Sequence, residues 1–394
     1  MLMNLRAFSA LARGVSRSST PLSSSSSLKY MGGFRTVFTD SGYNVLMFGS
    51  DGVSLEVLKE LFKNFDDNNG KISALEVVSG RKYSEFEPSE FERYAKDHGL
   101  RVHHFQHHDG SKWKTNEFPQ PGLLVKGGFD LAVVASFPHR IPESYLNQLS
   151  LGAINMHPSM LPRYRGPAPV YRAMLDGVEE SGISIATVEK TIDTGKILMR
   201  EPFTMPPEES YENVLRVMAW KGARMTVEAV ENYDTLIKNA KTQQEYIDSG
   251  EEATYAPKVS PTEILWKDMT VEQIHRYFLV LGHVGLYTWL PRSRGRLRQI
   301  HFEKIEKIDP KNISQEVDLT TSNPPGTIKY DKANQVLLVR CADGWIGVKE
   351  MNVENHGLMG AAEFANGFVL SRLGRNKGAQ VGFRGLAGEE ELKE

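Results

Sequence analysis

Two residues two positions apart open the reading. Asn155 and His157 begin the stretch Asn155-Met156-His157-Pro158-Ser159-Met160-Leu161-Pro162-Arg163-Tyr164-Arg165-Gly166. On an extended backbone that spacing points both side chains to the same side. Asn155 brings an amide donor, and His157 brings a donor that can also titrate. Such a pair suits a reaction in which a carbonyl oxygen becomes an oxyanion, because both donors can meet that oxygen without moving. A third group must accept a proton or orient the imidazole. The candidate is Asp193, in the polar turn Glu189-Lys190-Thr191-Ile192-Asp193-Thr194-Gly195, between the apolar runs Ile183 to Val188 and Ile197 to Met199.

The surrounding pattern supplies elements that can hold these groups. Leu149 to Ile154 predicts a buried strand, and a helix is expected to start near Pro167, since proline suits a first helical turn. Open α/β sheets bind ligands where a strand ends in such a loop. Pro158 and Pro162 restrict that loop. Earlier, Val45 to Phe48 reads as a strand, and Gly49-Ser50-Asp51-Gly52 turns it into a helix over Leu55 to Phe62. That turn lacks the Gly-x-Gly-x-x-Gly spacing of a dinucleotide site. It reads as a plain tight turn, with an anion at the helix N-terminus as the alternative. Ile72 to Val78 is a second strand. Pro88 to His98 is an amphipathic helix with Phe91, Tyr94, Ala95 and His98 on one face and Gly99 as its stop. Leu131 to Ala135 is the next strand. The loop after it, Phe137 to Pro142, belongs at the same sheet edge as Asn155. The alternation implies an open α/β sheet. A long helical stretch, Tyr211 to about Ile237, closes this first domain. Lys241 to Pro261 reads as a linker, followed by a helix over Val271 to Leu279. Short strands then follow at Leu286–Leu290, Leu297–Phe302, Gly326–Tyr330, Val336–Arg340 and Trp345–Val348, which suggest a small barrel.

Asn-x-His-x-Ser-x-Leu-Pro-x-x-Arg-Gly followed by Asp-Thr-Gly resembles the folate-dependent formyltransferases. The fuller Leu161 to Pro169 is most similar to the branch that acts on methionyl-tRNA, although Tyr164 stands where that branch usually carries Trp. The likeness runs from about Tyr43 to about Arg372. It implies a Rossmann-like open-sheet α/β formyltransferase domain over residues 42–240, a linker over 241–260, and a C-terminal, OB-like small β-barrel domain over 261–394. It also implies formyl transfer from 10-formyltetrahydrofolate to the α-amino group of methionyl initiator tRNA, with Asn155, His157 and Asp193 as the catalytic trio and no metal. Ser159, Met160, Leu161 and Pro162 would line the folate site, with Met160 in place of the usual Leu, a swap close in volume. Phe137 and Ile141 would pack on the pterin. For the tRNA, Arg81 and Lys82 are what remains of a longer basic loop, and Arg163 and Arg165 could approach the acceptor end. Arg292, Arg294, Arg296 and Arg298 alternate, so on a strand they would form one basic stripe. Arg372, Arg375, Lys377 and Arg384 add a second group.

Composition narrows the alternatives. The chain has 394 residues, long enough for two domains, and a formal net charge of −2, so nucleic acid must be held by local basic patches. The lone Cys341 excludes an intrachain disulfide framework or thiolate zinc cluster. No apolar run is long enough to span a bilayer, and a monomer is expected. His103, His104, His107 and His108 invite a metal reading. Only Asp109 adjoins them, so a solvated strand end and loop is expected. One rival function is formyl transfer to a small amine, a glycinamide ribonucleotide or nucleotide sugar; the length of chain beyond residue 240 argues against it. Another is a catalytically idle RNA-binding protein, against which stands the intact trio.

Residues 1–38 carry no acidic residue, while Arg6, Arg13 and Arg17 share one helical face and Leu5, Phe8, Leu11 and Val15 the other. With the serines Ser23 to Ser27 this reads as an organellar transit peptide; the resemblance to a formyltransferase of bacterial-type translation initiation implies the mitochondrial matrix as its destination. The mature protein is expected to begin between about residues 20 and 42. N-terminal sequencing of protein purified from the organelle checks this, and recovery of an intact Met1 form there would overturn it.

Overall fold

The computed structural model describes residues 42–80, 87–104, 128–292, 295–320, 322–370 and 381–384, together with two short paired strands ahead of them, β1 (Lys29–Met31) and β2 (Phe34–Thr36). The rest of the basic N-terminal segment, Arg81, Lys82, His107, His108, Arg294, Arg372, Arg375, Lys377 and the acidic tail lie outside the described residues.

The first domain runs β3 (Tyr43–Gly49), α1 (Gly52–Asp66), β4 (Ile72–Ser79), α2 (Glu90–Asp97), β5 (Arg101–His104), β6 (Leu131–Ala135), α3 (Glu143–Leu146), β7 (Gly152–His157), α4 (Pro169–Asp176), β8 (Glu180–Thr187), β9 (Ile197–Thr204), α5 (Tyr211–Glu231) and α6 (Tyr233–Asn239). Its seven strands lie in the order β5-β4-β3-β6-β7-β8-β9, parallel from β5 to β7 and antiparallel across β7, β8 and β9. The central parallel strands β3 and β6 are almost wholly apolar and buried, as strands covered on both faces must be, whereas the edge strand β5 is polar and partly exposed. From β3 the chain winds outward to β5, then returns to β6 on the other side of β3. The gap between β3 and β6 is therefore a topological switch point, where open sheets take ligands. Asp51 caps α1 at that gap, its carboxylate accepting the backbone N–H groups of Val53 and Ser54.

Several elements differ from expectation. The strand before the motif is Gly152–His157 rather than Leu149–Ile154, because Gly152 takes a left-handed φ of 74° and ends a turn on Leu149. Asn155 and His157 thus sit within the strand, which fixes their alternation. The helix beginning at Tyr211 breaks at Asn232, which caps it, and resumes as α6. The expected linker contains a further helix, α7 (Gln243–Asp248), started by a capping box of Thr242 and Glu245. His103 and His104 are half-buried rather than solvated: His103 Nε2 lies 2.6 Å from Glu76, and His104 Nδ1 3.8 Å from Glu92. No cluster of three or more groups able to hold a metal occurs among the described residues, nor any helix long and apolar enough to cross a membrane.

The second domain comprises β10 (Thr262–Glu263), α8 (Val271–Leu281), β11 (Leu286–Pro291), β12 (Leu297–Lys307), β13 (Ile328–Asp331), β14 (Val336–Arg340), β15 (Trp345–Val353), β16 (Gly357–Gly360) and α9 (Ala361–Phe364). The strand path is β10-β11-β12-β15-β14-β13, with β16 beside β15. Residues 381–384 bridge its ends, pairing Gly382 with Thr327 before β13 and Arg384 with Trp289 on β11. The sheet so closes into a small barrel around Phe302, Ile346, Met351 and Phe383. The arginine stripe is not formed as expected. Arg292 N donates to Arg296 O across a hairpin, which turns the chain before the alternation can continue. Arg292 and Arg296 are exposed at the tip, whereas Arg298 is buried on β12 with its guanidinium 5.0 Å from the Phe368 ring centre.

Candidate active site

The three polar groups singled out from the sequence converge at the carboxyl end of β7. Asn155 Nδ2 donates to Asp193 Oδ1 at 3.3 Å, and His157 Nδ1 lies 3.7 Å from the same oxygen. The imidazole is buried, and its Nε2–H donates to the backbone carbonyl of Tyr164 at 2.9 Å. That bond commits Nε2 and leaves Nδ1 as the ring edge facing Asn155 and Asp193. All three residues line one cavity of about 690 Å³, which also reaches Ser50, Asp51 and Ser136 at the switch point. Asn155 Nδ2, the Nδ1 edge of His157 (a donor once the ring carries its second proton) and the Asp193 carboxylate, aimed at one spot, can hold a tetrahedral oxyanion and move a proton beside it.

The rest of the motif builds the carboxylate's position. Asp193 has a φ of 55°, a left-handed conformation that Asp tolerates better than most residues. Its Oδ2 accepts the backbone N–H of Gly166 at 2.8 Å. Gly166 (φ 109°) passes so close to Tyr255 and the carbonyl of Ala256 that a Cβ would lie 2.6 Å from the tyrosine ring. Two residues beyond Asp193, a Cβ on Gly195 would lie 1.7 Å from the Thr187 backbone oxygen, so Asp-Thr-Gly must end in glycine for this turn to close. Gln243 of α7 is buried and donates from Nε2 to the carbonyls of Asp193 (2.9 Å) and Gly195 (3.0 Å). Its Oε1 accepts from Arg165 Nε at 2.7 Å. Burial lowers the Arg165 guanidinium from its usual value, with Asp193 opposing. The stretch read as a linker thus carries a residue that braces the site. The sequence does announce the helix, since Thr242-x-x-Glu245 is a capping box, but not the contact of Gln243 with a turn some 50 residues earlier.

The expected folate residues divide. Phe137, Ile141 and Leu161 line the cavity; Ser159, Met160 and Pro162 are absent from its wall. Ser159 is fully buried, its hydroxyl donating to Arg163 O and its carbonyl accepting from Ser184. Met160 packs toward Gly182. These residues shape the loop from behind. Phe137 stands edge-on to Phe48 at 5.2 Å, and the approach of its loop is possible because Gly80 has no side chain: a Cβ there would meet Pro138 at 2.6 Å. With Val188 and the 63% exposed Ile192, the cavity wall offers an apolar slot for a flat heteroaromatic ring. Arg163 is exposed, while Arg165 is engaged as above. Tyr164 is a buried packing residue, its hydroxyl bonded to Asp176 at 2.9 Å.

Known proteins agree with this architecture. Residues 45–230 match the formyl transferase family model, and residues 258–369 match the formyl transferase C-terminal domain. The class is therefore a formyl transferase with an appended second domain. The mitochondrial methionyl-tRNA formyltransferase of Rattus norvegicus is 32% identical over 343 residues, 86% of this chain and 81% of the relative. That of Homo sapiens is 32% identical over 344 residues, with the same coverage. The methionyl-tRNA formyltransferase of the bacterium Caldicellulosiruptor saccharolyticus is 29% identical over 253 residues, 64% of this chain and 75% of the relative. The chain belongs to the methionyl-tRNA formyltransferase family. Among solved structures, HypX from Aquifex aeolicus in complex with tetrahydrofolic acid shares the fold with a TM-score of 0.50 at 13% identity, covering 84% of this chain and 48% of that one.

The close approach at Gly195 gives a direct test. Gly195→Ala forces the turn away from Thr187, an overpacking change worth about 1–3 kcal/mol of stability. Urea denaturation should register that loss. Turnover should fall further than stability does, because the displaced turn carries Asp193.

Proposed function

We propose that the chain transfers the formyl group of 10-formyltetrahydrofolate to the α-amino group of methionyl initiator tRNA in the mitochondrial matrix. The observation that carries the reading is the convergence of Asn155, His157 and Asp193 on one cavity in a chain of this family. The mitochondrial relatives support the compartment and the tRNA substrate. As the neutral amine attacks the formyl carbon, Asn155 Nδ2 and the Nδ1–H of a His157 ring protonated on both nitrogens donate to the oxygen that gains the negative charge. Asp193 accepts a proton from the nitrogen that has attacked, directly or through water. Collapse restores the carbonyl, breaks the bond to the folate nitrogen, and returns a proton to it. Phe137, Ile141, Leu161, Val188 and Ile192 hold the folate ring against this centre.

The unmodified protein is expected to formylate charged initiator tRNA and to leave glycinamide ribonucleotide untouched. Asn155→Ala, His157→Ala and Asp193→Ala should each keep a native circular dichroism spectrum. Each should lose on the order of 100- to 1000-fold in single-turnover rate, as removal of one oxyanion donor does. Near-normal turnover in the Asp193 variant would remove that carboxylate from the chemistry.

Phosphate contacts are assigned to the exposed arginines at the β11–β12 hairpin, Arg292 and Arg296, and to Arg384, which pairs alongside β11 and is also exposed. A net charge of −2 supplies no general attraction to a polyanion, so affinity must come from such local groups. Replacing all three with Ala should weaken tRNA binding and reduce its logarithmic salt slope by about one per lost contact. Folate binding should hold. An unchanged slope would make the hairpin ordinary surface.

A further inference from the structure

The cavity straddles the carboxyl edge of the first sheet, and its walls belong to two different cores. Val134, Phe137, Ile141 and Val188 pack with the cluster on the α3 side. Val53, Val170, Tyr171, Tyr211 and Leu215 pack with the cluster that α1 and α5 cover. The polar trio stands on β7 and the Asp193 turn, between the two lobes. Formyl transfer needs a donor and an acceptor that meet at one carbon from different directions. With the folate ring in the α3-side lobe, the acceptor amine must arrive from the other.

That second lobe has a specific chemistry. Tyr171 on α4 and Tyr211 at the start of α5 stack with ring centres 3.7 Å apart and planes 14° from parallel. Leu215 lies one turn beyond Tyr211, and Val170 is buried beside Tyr171. The five are aliphatic or aromatic, with the carboxylate of Asp51 at their border, and such a wall suits an unbranched, polarisable apolar chain such as a thioether, whose sulfur gains from aromatic contact. The wall is fixed from the second domain. His283, in the turn after α8, stacks on Tyr211 at 5.4 Å and 20°. Its Nδ1–H donates to Glu212 Oε1 at 2.7 Å, which leaves Nε2 to accept the Tyr171 hydroxyl at 2.6 Å.

We infer that the lobe formed by Val53, Val170, Tyr171, Tyr211 and Leu215 receives the side chain of the aminoacyl group, and that His283 is a positioning residue that holds its aromatic wall from the second domain. The inference rests on the acceptor proposed above and adds which surface selects the amino acid. It predicts that discrimination for methionine depends on a residue outside the catalytic domain.

The test compares initiator tRNA charged with methionine and the same tRNA misacylated with alanine, which has no chain to fill the lobe. At saturating 10-formyltetrahydrofolate, Tyr211→Ala should cut kcat/KM for the methionyl substrate by about 10- to 100-fold, the scale of lost apolar contacts in a pocket. The alanyl substrate should change by less than about threefold. His283→Ala should shift the ratio the same way by a smaller factor. Tyr171→Phe, which removes only the hydroxyl, should reproduce the His283→Ala effect, and the double variant should be no worse than either. Retained tetrahydrofolate binding checks the fold. Should Tyr211→Ala lose that binding, Leu215→Trp fills the lobe and should reject methionine more than alanine. Equal losses on both substrates, or no loss on either, would overturn the inference. A wild-type protein inactive on both charged tRNAs would instead refute the proposed function.

Discussion

The Asp193 carboxylate is the point to which the rest of the first domain is tied. One oxygen takes the backbone N–H of Gly166, so the loop after β7 closes onto the turn between β8 and β9. The other faces Asn155 and His157, so the strand that presents those donors is referenced to the same group. Behind it, Gln243 fixes the backbone of the turn and Gly195 lets the turn fold against β8. A carboxylate placed so is costly unless its partners are in position, since an unpartnered buried charge is strongly penalised. The same demand that makes the site chemically useful therefore makes its local structure unique.

The two domains meet through a helix that belongs to both cores. Ile274 of α8 packs in the barrel, whereas Val280 and Leu281 pack with the first domain. Arg276 reaches across so that its guanidinium fills the space beside Gly177, the left-handed residue that ends α4; a Cβ there would lie 1.4 Å from Nη1. Lys307 joins Glu272 of its own domain (2.6 Å) to Glu208 of the other (2.5 Å). The hydrogen bond from Lys307 holds the Glu208 carboxyl below its usual range. These surface ion pairs add little energy each. The buried apolar residues of α8, Val280 and Leu281, contribute more.

Much of this was legible in the sequence where one local rule sufficed. Asn155 and His157 needed only the alternation of a strand, and Asp193 only a polar turn between apolar runs. Leu131–Ala135 and Val336–Arg340 matched their strands because their apolar runs are bounded by polar turns. Misplacements came where tertiary contact overrode pattern. Gly152 moved the start of β7, a positive φ that an apolar run does not announce. The four arginines alternate in sequence, but a hairpin turn takes the chain between Arg292 and Arg296, and the Phe368 ring draws Arg298 inward. Ser159 and Met160 lie in the motif yet face away from the cavity. Motif membership records which residues a loop needs, without separating those that touch a ligand from those that hold the loop's shape. Gln243 and His283 were missed because their partners are far along the chain.

The stretch between the domains is anchored at both ends. Gln243 is clamped to the Asp193 turn, and the backbone from Thr254 to Ala256 pairs with Arg165 and Gly166's neighbours beside it. A segment read as a tether is thus a spacer of fixed length, measured off against the catalytic centre itself. Insertions at most domain junctions are absorbed as slack. Between the anchors the chain is held as well, since the Glu251 carboxylate accepts from both terminal nitrogens of Arg200 on β9 at 2.7 Å each. The reach from the Asp193 turn to the second domain is thus set by side-chain and backbone contacts rather than by a flexible tether.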